Sequence, residues 1–482
     1  MVVNSITFWL FFSIVTIPYY YLLKKESYQN LWLLASSWFF YGWVDWKMIP
    51  LLIIVTISFY GIGILIKKNN HVAPKKASRL TTLGVLLGLG VLFYFKYFNF
   101  FVNEFAALFR SFGLQINDRD FHIIMPIGVS FFTFKLISYL IEIHRENIDP
   151  TNDFVKFATY VSFFPTILSG PIDRPGTFIP QLNVKRTIQT AQLSEGFKRI
   201  LWGMFLKMCV ADIIAPWTDA VLNSYIHHNT TSILIASFLY LIQLYTDFCG
   251  FSEMAIGVSL ILGLKVTENF HRPFFAKNAA EYWRRWHMSL TTWITDYVFM
   301  TLNVAMRDWG KWGLYLATLI NLVVIGVWHG ANWTFFWFGF YHGIILILVM
   351  MVEKKRKKFE KKHTLSKNEL YIWLRRGLTI VIFTFGSVLF RAQSIGDFLG
   401  TLSQLGTGFG LPYEEELPAI ILFAMPSFLL VFFREWVAEY KRDIHFFHSK
   451  NVLVRIASIA MMIALIIYIG QLDGNSFIYF QF

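Results

Sequence analysis

Apolar runs long enough for an α-helix to cross a bilayer, about 17 to 25 residues each, recur along this chain between short polar loops. In the first half they fall near residues 6–23, 48–66, 81–98, 123–143, 154–170, 197–215 and 233–249. In the second half they fall near 313–328, 333–352, 377–392, 417–433 and 453–470. Shorter apolar stretches at 31–44, 251–264 and 288–304 predict tilted, interfacial or re-entrant pieces. Irregular backbone at membrane depth is tolerated only where protein or a water-filled cavity covers it, so several such pieces together predict an enclosed cavity. No internal repeat and no long polar linker divides the chain, and residues 1–482 read as a single all-α polytopic membrane domain.

Composition agrees with that pattern. The 482 residues are 56% hydrophobic, 19% aromatic and 15% charged, against roughly 25% charged in an ordinary soluble domain. The net charge of +13 does not form one basic face for nucleic acid. Its lysines and arginines sit in short loops between apolar runs, the distribution of the positive-inside rule. The first run is preceded by no basic residue and followed by Lys24 and Lys25, which predicts a retained first span with the amino terminus outside. The run EKKRKKFEKK at 353–362, with Arg375, Arg376, Lys441, Arg442, Lys450 and Arg455, marks further cytoplasmic loops. Alternation then places the turn at His329 toward the outside, residues 265–312 on the cytoplasmic side and the tail 471–482 at the outer face. Cys209 and Cys249 lie in or beside apolar segments, so neither a disulfide nor a metal site is expected from them.

Ionisable residues at membrane depth are expensive and mark functional sites by default. In VVIGVWHGANWTFFWFGFYHG, at 323–343, His329 stands between two apolar spans beside Gly330, and His342 follows within the second span. Alone, His329 suits packing as well as catalysis, and His342 reads first as packing. In EYWRRWHMSLTTWITDYVF, at 281–299, Arg284, Arg285, Trp286 and His287 border a half-apolar helix. Arginine beside tryptophan fits a membrane interface; it fits equally a cationic mouth for an anionic, phosphorylated carrier.

Five segments, in order, resemble the membrane-bound O-acyltransferase family, and within it the bacterial branch typified by alginate O-acetyltransferase. They are MPIGVSFFTFKLISYLIEIHR at 125–145, SGPIDRPGTFIPQL at 169–182, the stretch 247–290 containing DFCGFSEMAIG and EYWRRWHMSL, GVWHGANWTFFWFGFYHG at 326–343, and DGNSFIYFQF at 473–482. The sequence departs from the family pattern at Thr295, where an arginine is common, and at His271, where an asparagine is usual.

The resemblance implies a ring of about 11–13 tilted helices around a central funnel and tunnel, in the cytoplasmic (inner) membrane of a bacterium. It implies O-acyl transfer with no bound cofactor, acetyl-CoA or another acyl thioester being the donor substrate. The family's essential WHG histidine falls on His329 and its RRWH histidine on His287, with Arg284, Arg285 and Trp286 at the donor side. The tail resembles a terminal acyl-transfer motif in which Tyr479 takes the acyl group, a phenol that needs an adjacent base because its reference pKa is ~10. The N–H groups of Trp328 and Asn332, near His329 in the sequence, are the candidates for stabilising an oxyanion. Besides membrane lipid, the implied partners are an SGNH-hydrolase-like protein outside the cytoplasm and a polysaccharide acceptor. A D-alanyl transferase of teichoic acid is the nearer rival. A glycan or lipid transporter and a non-catalytic scaffold of a secretion complex are rivals from other classes.

Overall fold

The computed structural model describes residues 5–114, 123–440 and 447–471. Tyr479 and the rest of the FIYFQF motif lie outside the described residues. The structure is 80% helical, with no strand among the described residues. Among the described residues, nine helical runs are long and apolar enough to cross a membrane. They include Glu26–Asn70, Thr230–Ile261, Lys311–His329, Trp333–Lys362, Glu369–Arg391 and Val452–Ile469. Three other expected spans are shorter helices, Ile6–Tyr21, Val129–His144 and Phe154–Ser162, the last of them stopping short of Pro165.

The surface is that of a protein dissolved in lipid. In Val452–Ile469, Leu453 and Ile467 are 76% and 66% exposed, a pattern water would penalise and hydrocarbon does not. Polar groups are instead turned inward. The chain is a multi-pass membrane protein.

Two compact units organise it: Met1–Phe197 with Ala255–Thr267, and Lys198–Met254 with Glu268–Phe482. In the first, a buried arginine knots helices together. Arg186 donates to Asn30 Oδ1 at 2.6 Å and to the Tyr19 hydroxyl at 2.8 Å, while Gln29 exchanges a pair of hydrogen bonds with its backbone at 2.9 Å each. Such a group is acceptable at depth only because its donors are satisfied.

The second unit holds both candidate histidines. Its central hairpin joins Lys311–His329 to Trp333–Lys362 through Gly330, Ala331 and Asn332. The two helices touch backbone to backbone. A Cβ on Gly326 would lie 2.2 Å from the Phe335 carbonyl oxygen, and one on Gly339 would lie 2.3 Å from that of Leu322. Small residues at such a seam let membrane helices approach closely where no hydrophobic force drives them together. Beyond Val352 the second helix becomes charged and runs on to Lys362, braced by Glu360, which accepts from Arg356, Arg375 and Tyr371 at 3.3, 2.9 and 3.1 Å.

Candidate active site

His329 is the last residue of its helix and is buried, 5% exposed. Its Nδ1 lies 2.7 Å from the Ile325 carbonyl oxygen, one turn back. A carbonyl can only accept, so Nδ1 carries a proton, and in the neutral form of the ring Nε2 is the acceptor nitrogen. That is the tautomer a general base requires.

His287 stands opposite. The two imidazole centroids are 6.1 Å apart, with the Trp328 indole 5.7 Å from His287 and 5.1 Å from His329. The structure thus brings together three residues from two sequence islands more than forty positions apart. His287 begins the helix Met288–Ile294 with φ +43°, a left-handed conformation uncommon for a residue with a side chain. The strain is held by Asn269, which accepts from the Met288 amide on its carbonyl at 2.9 Å and from the Ser289 hydroxyl on its side chain at 2.6 Å. Burial, and then the neighbouring His329, hold the His287 imidazole well below the ordinary histidine value, so its ring is neutral.

An aromatic cavity of about 30 Å³ adjoins His329, walled by Trp283, Trp286, Phe338, Phe383 and Phe390. The Phe390 ring is 5.1 Å from that of His329. Phe383, Ser387 and Phe390, all on Glu369–Arg391, are site residues that sequence reading missed; nothing in their local pattern separates them from other apolar span residues.

The remaining candidates divide. Trp286 is buried against Phe270 and Tyr282, while Arg284 is exposed. Arg285 is committed to ion pairs, with Glu439 at 3.0 Å and Glu281 at 2.7 Å, and its backbone carbonyl accepts from His271 at 2.9 Å. Its charge braces the turn that carries His287 and does not stand open to an anion. Asn332 caps the helix Trp333–Lys362, accepting from Thr334 at 2.9 Å, and donates to the Gln393 carbonyl at 2.7 Å. Its amide is occupied in shaping the His329 turn. Among the described residues no group of three His, Cys, Asp or Glu side chains is placed to hold a metal ion.

The profile of the membrane-bound O-acyltransferase family, MBOAT, matches residues 38–390. The chain belongs to the membrane-bound O-acyltransferase family. As an MBOAT protein it is an O-acyltransferase. Among its relatives, a probable alginate O-acetylase of Azotobacter vinelandii is 35% identical over 82% of this chain and 76% of that protein. A peptidoglycan O-acetyltransferase of Helicobacter pylori is 28% identical over 79% of this chain and 74% of its own length. A teichoic acid D-alanyltransferase of Bacillus subtilis is 31% identical over 50% of this chain and 62% of that protein. The MBOAT match spans both histidines and the whole wall of the aromatic cavity.

Proposed function

We propose that this protein transfers an acetyl group from a cytoplasmic thioester, acetyl-CoA being the simplest, to a hydroxyl on the far side of a bacterial cytoplasmic membrane. The acceptor is a hydroxyl of an exported polysaccharide or cell-wall glycan, reached directly or through an SGNH-hydrolase-like partner. The observation that carries this reading is the tautomer of His329. With Nδ1–H fixed on Ile325, Nε2 takes the proton of the attacking hydroxyl as the new C–O bond forms and the thiolate leaves. Tyr479 is the proposed relay hydroxyl, and the Trp328 N–H the proposed partner of the developing oxyanion. His287, held neutral 6.1 Å from His329, keeps the basin free of a cation that would weaken the base.

The cavity favours a small acyl group. About 30 Å³ accommodates a methyl-sized group or one water but no long chain. The D-alanyl reading draws on the Bacillus subtilis relative. A D-alanyl ester carries an ammonium, however, and the described residues lining the cavity include no carboxylate to receive it. The identities to alginate and peptidoglycan acetylating enzymes point the same way as the cavity.

The test is acetylation of exported glycan in cells whose only copy is His329→Ala, at matched protein level. Acetylation should fall by a factor of about 10² or more, and unchanged acetylation would refute the assignment. Tyr479→Phe isolates the relay: normal acetylation by that variant removes Tyr479 from the scheme.

A further inference from the structure

After the helix Thr230–Ile261 the chain passes toward His287 through residues 264–270, which form neither helix nor strand. Backbone polar groups outside regular structure need partners from elsewhere, and here side chains meet the chain at every second residue. In the first unit, Gln181 donates to the Lys265 carbonyl at 2.9 Å and accepts from the Lys265 amide at 2.8 Å. Asp173 Oδ1 accepts from the Thr267 amide at 2.8 Å and from the Thr267 hydroxyl at 3.0 Å. In the second unit, Asn269 donates to the Ser252 hydroxyl at 3.1 Å and receives the Met288 amide and the Ser289 hydroxyl, the two residues that follow His287.

Asp173 is 2% exposed, and its Oδ2 has no hydrogen-bond partner among the described residues. The cation acting on it is Lys135, also buried, whose ammonium donates to the Thr166 hydroxyl at 2.9 Å and to the Tyr160 carbonyl at 3.3 Å. A buried ion pair often stabilises a fold no better than apolar residues of similar volume. What an apolar residue at 173 could not do is receive Thr267. Lys135 lies in MPIGVSFFTFKLISYLIEIHR, Asp173 and Gln181 in SGPIDRPGTFIPQL, and Thr267 in the stretch 247–290, so three of the five segments singled out in the sequence meet at this anchor. Among the described residues, none from the first two lines the cavity beside His329.

We propose that Asp173, with Gln181, is a positioning residue for His287. Only Glu268 separates Thr267, which Asp173 anchors, from Asn269, which holds the left-handed turn of His287. A strained conformation persists only while its surroundings hold it. Released at Thr267, the segment lets Asn269 and the His287 turn shift, and a misplacement of about 1 Å can cost about 10²-fold in rate. The proposal rests on the acyl-transfer reading and assigns neither residue to donor or acceptor binding. Its signature is a fall in maximal rate at unchanged KM.

The experiment uses inside-out membrane vesicles from producing cells, with radiolabelled acetyl-CoA added at varied concentration and label in the glycan as the readout. Two double variants of the full chain carry the same charge: Lys135→Met with Asp173→Asn keeps an oxygen for Thr267, and Lys135→Met with Asp173→Leu removes it. At matched protein level the Asn variant should keep a rate near that of the wild type. The Leu variant should lose about tenfold or more in maximal rate with little change in KM. Thermal unfolding of each protein, purified into lipid nanodiscs, checks that the two are equally stable. Should the Leu variant not fold, Gln181→Leu, at a partly exposed position, carries the test and should lower the maximal rate severalfold at the same KM. Equal maximal rates in the two double variants, or an unchanged rate in Gln181→Leu, overturn the proposal and leave the anchor a matter of stability alone. Absence of transfer from acetyl-CoA by wild-type vesicles defeats the acyl-transfer reading itself.

Discussion

At the scale of single residues, the candidate site holds two buried histidines oriented by different means. His329 is fixed by a hydrogen bond to Ile325, and His287 by burial within a strained turn. The second has a consequence for stability. Unfolded His287 takes up a proton below about 6.5, its ordinary value, whereas the folded ring resists protonation to a much lower pH. The unfolded chain therefore binds more protons across that window, and folded stability is lost as pH falls below about 6.5, at up to ~1.4 kcal/mol per pH unit from this group. A His287→Gln variant should show a shallower fall in thermal midpoint between about pH 6.5 and 4.5 than the wild type. Parallel curves for the two proteins would show that His287 is not the titrating group. His329 was legible as an ionisable residue between two apolar spans, and His287 as part of a basic, aromatic island beside a half-apolar helix. The tautomer was not, because it depends on where one turn of helix puts a carbonyl. Nor was the commitment of Arg285 to Glu439, a residue 154 positions away.

At the scale of helices, the decisive contact is the glycine seam of the hairpin that carries His329. Gly339→Val should separate the two helices, since its Cβ would meet the Leu322 carbonyl at 2.3 Å and the Val323 Cα at 2.7 Å, both backbone atoms. Overpacking of this kind costs typically 1–3 kcal/mol, occasionally more, and it lies close enough to displace His329. Gly343→Ala should be milder, because its nearest obstacle is the movable end of the Leu319 side chain at 2.7 Å. The comparison is made by thermal unfolding and transfer activity of the two variants side by side. Equal losses would mean that the seam is not what orients the histidine. Gly339 and Gly343, four residues apart, share one helical face, but the sequence does not say which helix that face meets. The third helix of the site, Glu369–Arg391, was visible as a span but not as a wall of the cavity, since local apolar periodicity carries no record of which distant helix it meets.

At the scale of the whole chain, hydropathy was the most informative signal, because lipid demands continuous apolar runs and the sequence supplies them. It was blind to what those runs enclose. Lys207 and Asp212 fall inside or beside one apolar run and Asp247 inside another, yet the structure joins them in a buried cluster, with Lys207 Nζ 2.8 Å from Asp212 and 2.7 Å from Asp247. All three side chains are at most 5% exposed. Charges at this depth persist only when paired. Removing the cation by Lys207→Met leaves two carboxylates facing one another without it, which should destabilise the protein by about 3–5 kcal/mol. If pairing is the cause, the double variant Lys207→Met with Asp247→Asn should recover part of the loss, because it also removes one of the stranded charges. A double variant no more stable than Lys207→Met would instead assign the damage to lost packing around the lysine stem. Thermal unfolding in the same nanodiscs separates the two, and a double variant that also regains transfer activity would show that the cluster serves to hold helices in register around the site, with no part in the chemistry.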